Sequence, residues 1–226
     1  MSTSDALLPS EFIDSDSPSV VDFARNLTTG YTGELDRILR LYEGVRDGIV
    51  YDPYLDFNDA ANYRASDVLN ARRGFCIGKS ALLAACARAI GVPARVGYAD
   101  VRNHLTSPRL YERLKTDVFI WHSYTALYVF GSWVKATPAF DSMLCQRLGL
   151  APLEFDGRAD SLFHAFDRDG RRHMEYIRDR GMFTDVPFAT IRSDFQRVYP
   201  GLAADAGVRG DFSAEAVAAE AQPSSA

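Results

Sequence analysis

The chain has 226 residues, of which 47% are hydrophobic and 24% charged, and its formal net charge at pH 7 is −5. This length and composition allow one ordinary hydrophobic core, and they predict one domain with short appendages. The acidic balance argues against a nucleic-acid-binding protein, because phosphate binding needs a basic patch.

Cysteine content and the first residues indicate the compartment. The three cysteines are too few, and odd in number, for a disulfide framework. The N-terminal sequence MSTSDALLPSEF lacks the basic and apolar regions of a signal peptide, and no run reaches the roughly 20 apolar residues of a membrane span. These features predict a reduced, cytoplasmic protein without a membrane partner.

The N-terminal part of the chain predicts a loose segment followed by helices. Residues 1–16 are rich in Ser and Asp and predict a flexible terminus. Ser17 and Pro18 fit the N-cap and the first position of a helix, and apolar residues at helical spacing predict a second helix from about Thr32. A short strand in GIVYD and a short helix capped by Ser66 follow.

A long apolar helix and a run of strands form the middle of the chain. The helix covers about residues 75–90 and ends at Gly91, with Pro93 just beyond. ARVGYADV predicts a strand, a polar loop comes next, and two further strands flank a hairpin turn. Helices followed by an antiparallel sheet predict an α+β fold.

The remainder is less regular. PFATIRSDFQRVY predicts a last helix, with Asp185 near its start. Residues 201–226 are rich in Ala, Gly, Ser and acidic residues, which predicts a disordered tail. The predicted domain therefore covers residues 17–200.

Cys76 lies where the long helix begins, directly after the dipeptide GF. Free N–H groups and the positive end of the helix dipole favour a thiolate there, and they favour negative charge on a carbonyl oxygen under attack. Gly74 lets the backbone approach closely just before it. The position predicts a nucleophile, with a packing role as the alternative; Cys86 and Cys145 are interpreted as packing residues.

His122 lies on the strand WHSYTALYVF and is the candidate general base. If the dipeptide GS forms the hairpin turn, His122 faces Asp141; if FG forms it, His122 faces Ala139. In either register His122, Thr137 and Asp141 share one face of the sheet. An imidazole beside an oxygen-bearing side chain can deprotonate a thiol and later protonate a leaving amine.

Residues 45–141 carry an ordered set of motifs. GFC opens the long helix and GVPAR follows it. WH lies in the second strand after the helix, and WVKATPAFD comes after that strand. This order resembles a bacterial-type single-domain member of the transglutaminase-like superfamily, relatives of papain-type cysteine proteases. The resemblance implies a papain/transglutaminase-like core with a nucleophile helix packed on an antiparallel sheet. It implies Cys76 as nucleophile and His122 as base.

The chain departs from that family where the family shows Asp-Pro-Thr, because it has TPA instead. Either Thr137 orients the imidazole through a neutral hydrogen bond, or Asp141 reaches back from four residues later. A neutral orienter stabilises an imidazolium less, so the change fits a modified, slow or inactive enzyme.

We therefore expect a cysteine-dependent enzyme that cleaves an amide of a small molecule or peptide through a thioester. Transfer to an amine, carbon–carbon cyclisation and a non-catalytic binding role are the alternatives. The Cys76 N–H, together with the Trp121 indole or the Tyr63 hydroxyl, would hold the oxyanion, and His104 would line the cleft. No Cys or His pair has the spacing of a zinc site, and we expect no metal or cofactor.

Overall fold

The computed structural model describes residues 3–104, 106–163, 170, 173–199, 201 and 212. Most of the helices precede residue 90, and the four longest strands follow it. The helices are α1 (Pro18–Thr28), α2 (Glu34–Gly48), α3 (Ala65–Ala71), α4 (Cys76–Ala89), α5 (Pro108–Leu114), α6 (Ser142–Arg147) and α7 (Phe188–Val198). The strands are β1 (Val50–Tyr51), β2 (Arg73–Gly74), β3 (Ala94–Asn103), β4 (Val118–Val129), β5 (Ser132–Ala136) and β6 (Met174–Phe183).

Four of the strands form one antiparallel sheet, in the order β5-β4-β3-β6. Helix α4 packs on β3 and β4 and is covered by α1, α2 and α3. Every residue of α4 from Cys76 to Arg88 is buried, including the polar Lys79, Ser80 and Arg88, as expected of a helix that has mostly apolar residues all round. This arrangement confirms the predicted α+β class with a central helix packed on an antiparallel sheet.

Several elements were not predicted. Helix α5 lies within the segment interpreted as a polar loop, and β6 lies within the irregular C-terminal part. Strand β6 pairs with β3 at one edge of the sheet, and its middle residues are exposed, so its sequence lacks the alternation that marks a half-buried strand. The predicted cap of α3 is also wrong, because Arg64 takes the N-cap position and the Ser66 N–H donates to Asp14 Oδ1 at 3.1 Å.

The N-terminal segment, predicted as a flexible terminus, contributes three apolar residues to the core. Ala6, Phe12 and Ile13 are buried. The N–H groups of Phe12 and Ile13 both donate to Asp185 Oδ1 at 3.2 Å, so this carboxylate ties the N-terminal segment to the residues before α7. Of the predicted tail, 201–226, all but Gly201 and Phe212 lies outside the described residues.

No helix in the described ranges is both long and apolar enough to cross a bilayer.

Candidate functional site

The site begins at the N-terminus of α4, whose first residue is Cys76. Phe75 precedes it in an extended conformation, and no side chain caps the helix. Strands β1 and β2 pair in parallel, which sets Tyr51 opposite Gly74. A Cβ atom at Gly74 would lie 2.9 Å from Val68 Cγ1, so glycine permits this close approach of the chain.

The hairpin of β4 and β5 decides where His122 lies. Strand pairing runs from Thr125 opposite Ala136 to Val129 opposite Ser132, so the turn is the dipeptide FG and not GS. Phe130 and Gly131 have φ angles of 51° and 84°, the positive values that a two-residue type I′ turn requires at both positions. The register that would set His122 opposite Asp141 is therefore wrong.

A β-bulge precedes His122. Ala99 pairs with His122 and Val101 pairs with Phe119, so two residues of β4 lie opposite one residue of β3. Trp121 is one of the two, and its φ of 59° is in the left-handed region that a bulky residue rarely adopts. Bulges of this kind re-aim the neighbouring side chain, here that of His122.

One buried hydrogen bond links the helix of Cys76 to the strand of His122. The hydroxyl of Thr125 donates to the carbonyl of Ser80 at 2.8 Å. Ser80 lies one turn after Cys76, and Thr125 lies three residues after His122. This bond couples the positions of the two elements that carry the candidate nucleophile and base.

Cys76 and His122 line the same cleft, of about 60 Å³. The rest of its wall is apolar and mainly aromatic, and includes Phe57, Phe75, Leu110, Phe119, Ile120 and Phe195. Both residues are buried, at 8% and 7% exposure. The structure therefore brings together the two residues that sequence reasoning paired across 46 positions of the chain.

Burial dominates the electrostatics of Cys76. It raises the pKa of the thiol to about 11, although the backbone N–H groups of Ser123, Ile77 and Cys76 act in the opposite direction. The N–H groups at the helix N-terminus do lower the thiol pKa, as expected from the sequence. Desolvation raises this pKa by more, and the expectation did not include it. Burial also raises the pKa of Cys145, to about 12, and that of Cys86 further.

Thr137 lies beside His122, in a second, smaller cavity that both residues line. Its side chain is buried, and its hydroxyl makes no hydrogen bond to any described residue. Asp141 lines neither cavity. Its carboxylate caps α6 by accepting from the Leu144 N–H at 2.8 Å, and it accepts more weakly from the Tyr51 N–H at 3.4 Å. The structure thus brings Thr137 to His122 but gives Asp141 a helix-capping position.

The two side chains expected to hold an oxyanion are engaged elsewhere. Trp121 lines the cleft, but its indole N–H donates to Asp194 Oδ2 at 2.9 Å. The buried hydroxyl of Tyr63 donates to the Phe57 carbonyl at 2.8 Å, and Tyr63 does not line the cleft. His104 is also outside the cleft; it is exposed and contacts Glu175 at 3.1 Å.

A group of charged residues that sequence reasoning missed surrounds Trp121. Asp100 accepts from the Trp121 backbone N–H at 3.1 Å, and the Arg180 guanidinium lies 4.4 Å from the centre of the indole. Arg180 also pairs with Asp100 and, at 3.2 Å, with Asp194. No sequence signal marked these residues, because they come from β3, β6 and α7, two of which are far from Trp121 in the chain.

Among the comparisons with known proteins, a family model bears on the family and one solved structure bears on the fold. The family model described as the transglutaminase-like superfamily matches residues 21–138, slightly more than half of the chain. A candidate cysteine protease from Cytophaga hutchinsonii superposes with a TM-score of 0.51 at 16% identity, over 82% of this chain and 48% of that one. A candidate protease from Parabacteroides distasonis gives a TM-score of 0.39 at 18% identity, over 58% of this chain and 26% of that one. No curated protein matches the sequence.

The chain thus spans about half the length of the first of these solved structures.

Proposed function

Because the chain belongs to the transglutaminase-like superfamily, we propose that it is a cysteine-dependent enzyme that hydrolyses an amide bond through a thioester. One observation carries the proposal: Cys76 and His122 line the same cleft. The nucleophile and its base come from α4 and β4, which Thr125 and Ser80 join by a buried hydrogen bond.

In the proposed reaction His122 takes the thiol proton as Cys76 Sγ attacks the carbonyl carbon. The thiol pKa of about 11 means that a free thiolate is scarce at neutral pH, so proton removal during the attack is needed. Collapse of the oxyanion breaks the C–N bond, and the imidazolium donates its proton to the departing amine. Water, deprotonated by His122, then cleaves the thioester to a carboxylic acid and regenerates the thiol.

The proposal assigns supporting roles to two neighbours. Backbone N–H groups of Cys76 and Ser123 are directed at the sulfur, and they are the candidate donors to the oxyanion that forms beside it. The Thr137 hydroxyl is buried in the cavity that it shares with His122 and makes no hydrogen bond to a described residue, so it is the candidate acceptor that would take up a bond from an imidazole N–H during the reaction. A neutral acceptor stabilises the imidazolium less than a carboxylate does, so we expect slow turnover.

Two observations favour a second candidate, a binding protein that retains the fold without turnover. Thr137 stands where an acidic orienter is expected, and burial keeps the Cys76 thiol protonated in the absence of substrate. Transfer of the acyl group to an amine or to a carbon nucleophile would use the same thioester and differs only in the acceptor.

A mass-spectrometric screen tests these possibilities. Wild-type protein and a Cys76→Ala variant are incubated with a pooled set of acyl amides and short peptides, with and without methylamine. Hydrolysis yields the free acid, transamidation yields the methylamide, and both should depend on Cys76. Product formation that is equal in the two proteins, or absent from both, would reject the enzymatic proposal.

A further inference from the structure

Apart from His122, the proposed base, the described residues in the wall of the cleft around Cys76 offer a substrate no charged partner. Among the described residues that line it there is no Asp, Glu, Lys or Arg. Two tyrosines contribute hydroxyls, and that of Tyr199 already accepts from the Ile120 N–H at 2.7 Å and donates to the Val118 carbonyl at 3.1 Å. A charged group placed here would lose its hydration without compensation.

Two arginines lie over aromatic residues of the wall, Arg113 over Phe57 and Arg180 over Trp121. The buried guanidinium of Arg113 donates to the carbonyls of Pro53 and Leu55, at 3.2 and 3.4 Å, and lies over the ring of Phe57 at 5.5 Å. Arg180 lies over Trp121 and pairs with Asp100 and Asp194. Neither arginine lines the cleft.

The size of the cleft limits the apolar group that it can hold. Its volume of about 60 Å³ compares with the roughly 150 Å³ of an engineered apolar cavity that binds benzene. The space in the cleft therefore holds a few aliphatic carbon atoms, and an aromatic ring would extend beyond it toward solvent. The chain itself places an apolar group nearby, because the ring of Phe212 lies 6.0 Å from that of Tyr51, a wall residue.

We propose that the acyl group transferred to Cys76 is a short, uncharged aliphatic one, such as butyryl or isobutyryl or an aliphatic side chain of similar size. This inference rests on the proposed thioester chemistry and adds the substrate class. Burial of each further methylene in the apolar wall should favour acylation by about fourfold until the cleft is full. An acyl group that ends in a carboxylate should be disfavoured by at least about tenfold.

Activated esters test the substrate class directly. The probes are the p-nitrophenyl esters of acetate, butyrate, isobutyrate and phenylacetate, together with mono-p-nitrophenyl succinate. Cys76 Sγ bonds to the acyl carbon, the ester C–O bond breaks, p-nitrophenolate leaves, and the thiol proton passes to His122. The release of p-nitrophenolate gives the rate, and peptide mass spectrometry locates the adduct.

Each rate is divided by the rate of the same ester with a small free thiol, which removes differences in intrinsic reactivity. We expect butyrate and isobutyrate to exceed acetate, and both to exceed phenylacetate and the succinate. A succinate or phenylacetate ester that reacts as fast as butyrate would overturn the substrate class while leaving the thioester chemistry in place. Failure of every ester to acylate Cys76 above the Cys76→Ala background would instead reject the proposed function.

A variant of the cleft wall supplies an independent measurement. Leu110→Lys adds a cation to the wall, and the succinate-to-butyrate rate ratio should then rise by about tenfold or more. The ratio is measured on one protein sample, so it does not depend on the fraction that is folded. An unchanged ratio would show that this wall does not contact the acyl group and would overturn the inference.

Discussion

The backbone N–H of Trp121 donates to Asp100 Oδ1 at 3.1 Å, while Trp121 has a φ of 59°. A left-handed conformation costs a bulky residue about 1–3 kcal/mol and persists only where its surroundings enforce it. Asp194 accepts from the indole N–H, and the Arg180 guanidinium lies over the indole ring. Since His122 is the next residue, these contacts hold the bulge that directs the imidazole.

Removal of the Asp100 acceptor should misplace His122. In Asp100→Ala we expect the bulge to relax and the rate of Cys76 alkylation at pH 7 to fall by about tenfold or more, because small displacements of a base are costly. In this variant the alkylation rate should keep rising with pH up to the thiol pKa of about 11, because His122 no longer assists proton removal at neutral pH. Asp100→Asn keeps an acceptor for the Trp121 N–H and should recover most of the neutral-pH rate.

Asp117→Ala is the matched control, because Asp117 pairs with Arg102 on the surface near the start of β4. Its pH profile should match that of the wild type. Equal losses in the Ala and Asn variants, with unchanged pH profiles, would mean that Asp100 contributes only to stability.

Cys76 should alkylate faster than the other two cysteines. It is 8% exposed and lines a cleft, whereas Cys86 and Cys145 are fully buried and the pKa of each of these thiols is raised further. With iodoacetamide at pH 7.5 we expect at least a tenfold preference for Cys76, measured by peptide mapping. His122→Ala should reduce labelling of Cys76 alone; equal labelling of all three cysteines would contradict the site.

Substitution of Thr137 should lower the rate of the reaction, whereas substitution of Asp141 should lower stability. Thr137→Val is nearly isosteric, removes the only hydroxyl that shares the smaller cavity with His122 among its described wall residues, and should lower kcat by about tenfold or more with little change in KM. The ester rates of the wild-type protein provide the reference. An unaltered kcat would remove Thr137 from the proposed mechanism.

Asp141→Ala should affect stability instead. Loss of the carboxylate that caps α6 should lower the free energy of unfolding by about 1 kcal/mol, measured by urea denaturation. The kcat of the folded variant should stay close to the wild-type value. A large loss of kcat with normal stability would restore Asp141 as the orienting residue.

Lys79, on the helix that begins at Cys76, should make the stability of the protein depend on pH. Its fully buried ammonium donates to the carbonyls of Arg46 and Ile49 at 2.8 and 2.6 Å, where α2 ends. Desolvation lowers its pKa to about 7, against the opposing effect of Asp141, Asp47 and Cys145. Nearby Arg46 lowers this pKa further.

The free energy of unfolding should therefore rise with pH just above neutrality. Between pH 7 and the lysine pKa of about 10.4 in the unfolded chain, the unfolded state binds more protons at this residue, so a higher pH favours the folded state. From pH 6.5 to 8 we expect a gain of about 1 kcal/mol, which Lys79→Met should abolish. Urea denaturation at several pH values measures it, and equal slopes in the two proteins would contradict the assignment.

The upper limit of pH 8 matters, because the buried thiols act in the opposite direction. Burial raises the pKa of Cys76 to about 11 and that of Cys145 to about 12, while unfolded thiols ionise near 8.5. Above that pH the unfolded state loses thiol protons first, and stability falls.

Local signals in the sequence determined the α+β class, the start of α4 at Cys76 and the place of His122 on a strand. Pro18 at the first position of α1, glycine at the end of α4 and the β character of the hairpin strands act within a few residues, so they can be recognised without knowing what lies across the molecule. The family resemblance was read from residues 45–141, and a family model that matches residues 21–138 confirms it.

Only the tertiary structure decided which polar groups meet. A one-residue choice of turn, FG rather than GS, removed Asp141 from its place opposite His122. The Trp121 indole donates to Asp194, which lies 73 positions away in the chain, and Arg180 of an edge strand lies over the indole ring. Strand register and the packing of helices on the sheet decide which polar groups meet. Both depend on contacts between segments that are far apart in the chain, so no periodic pattern in the sequence predicts them.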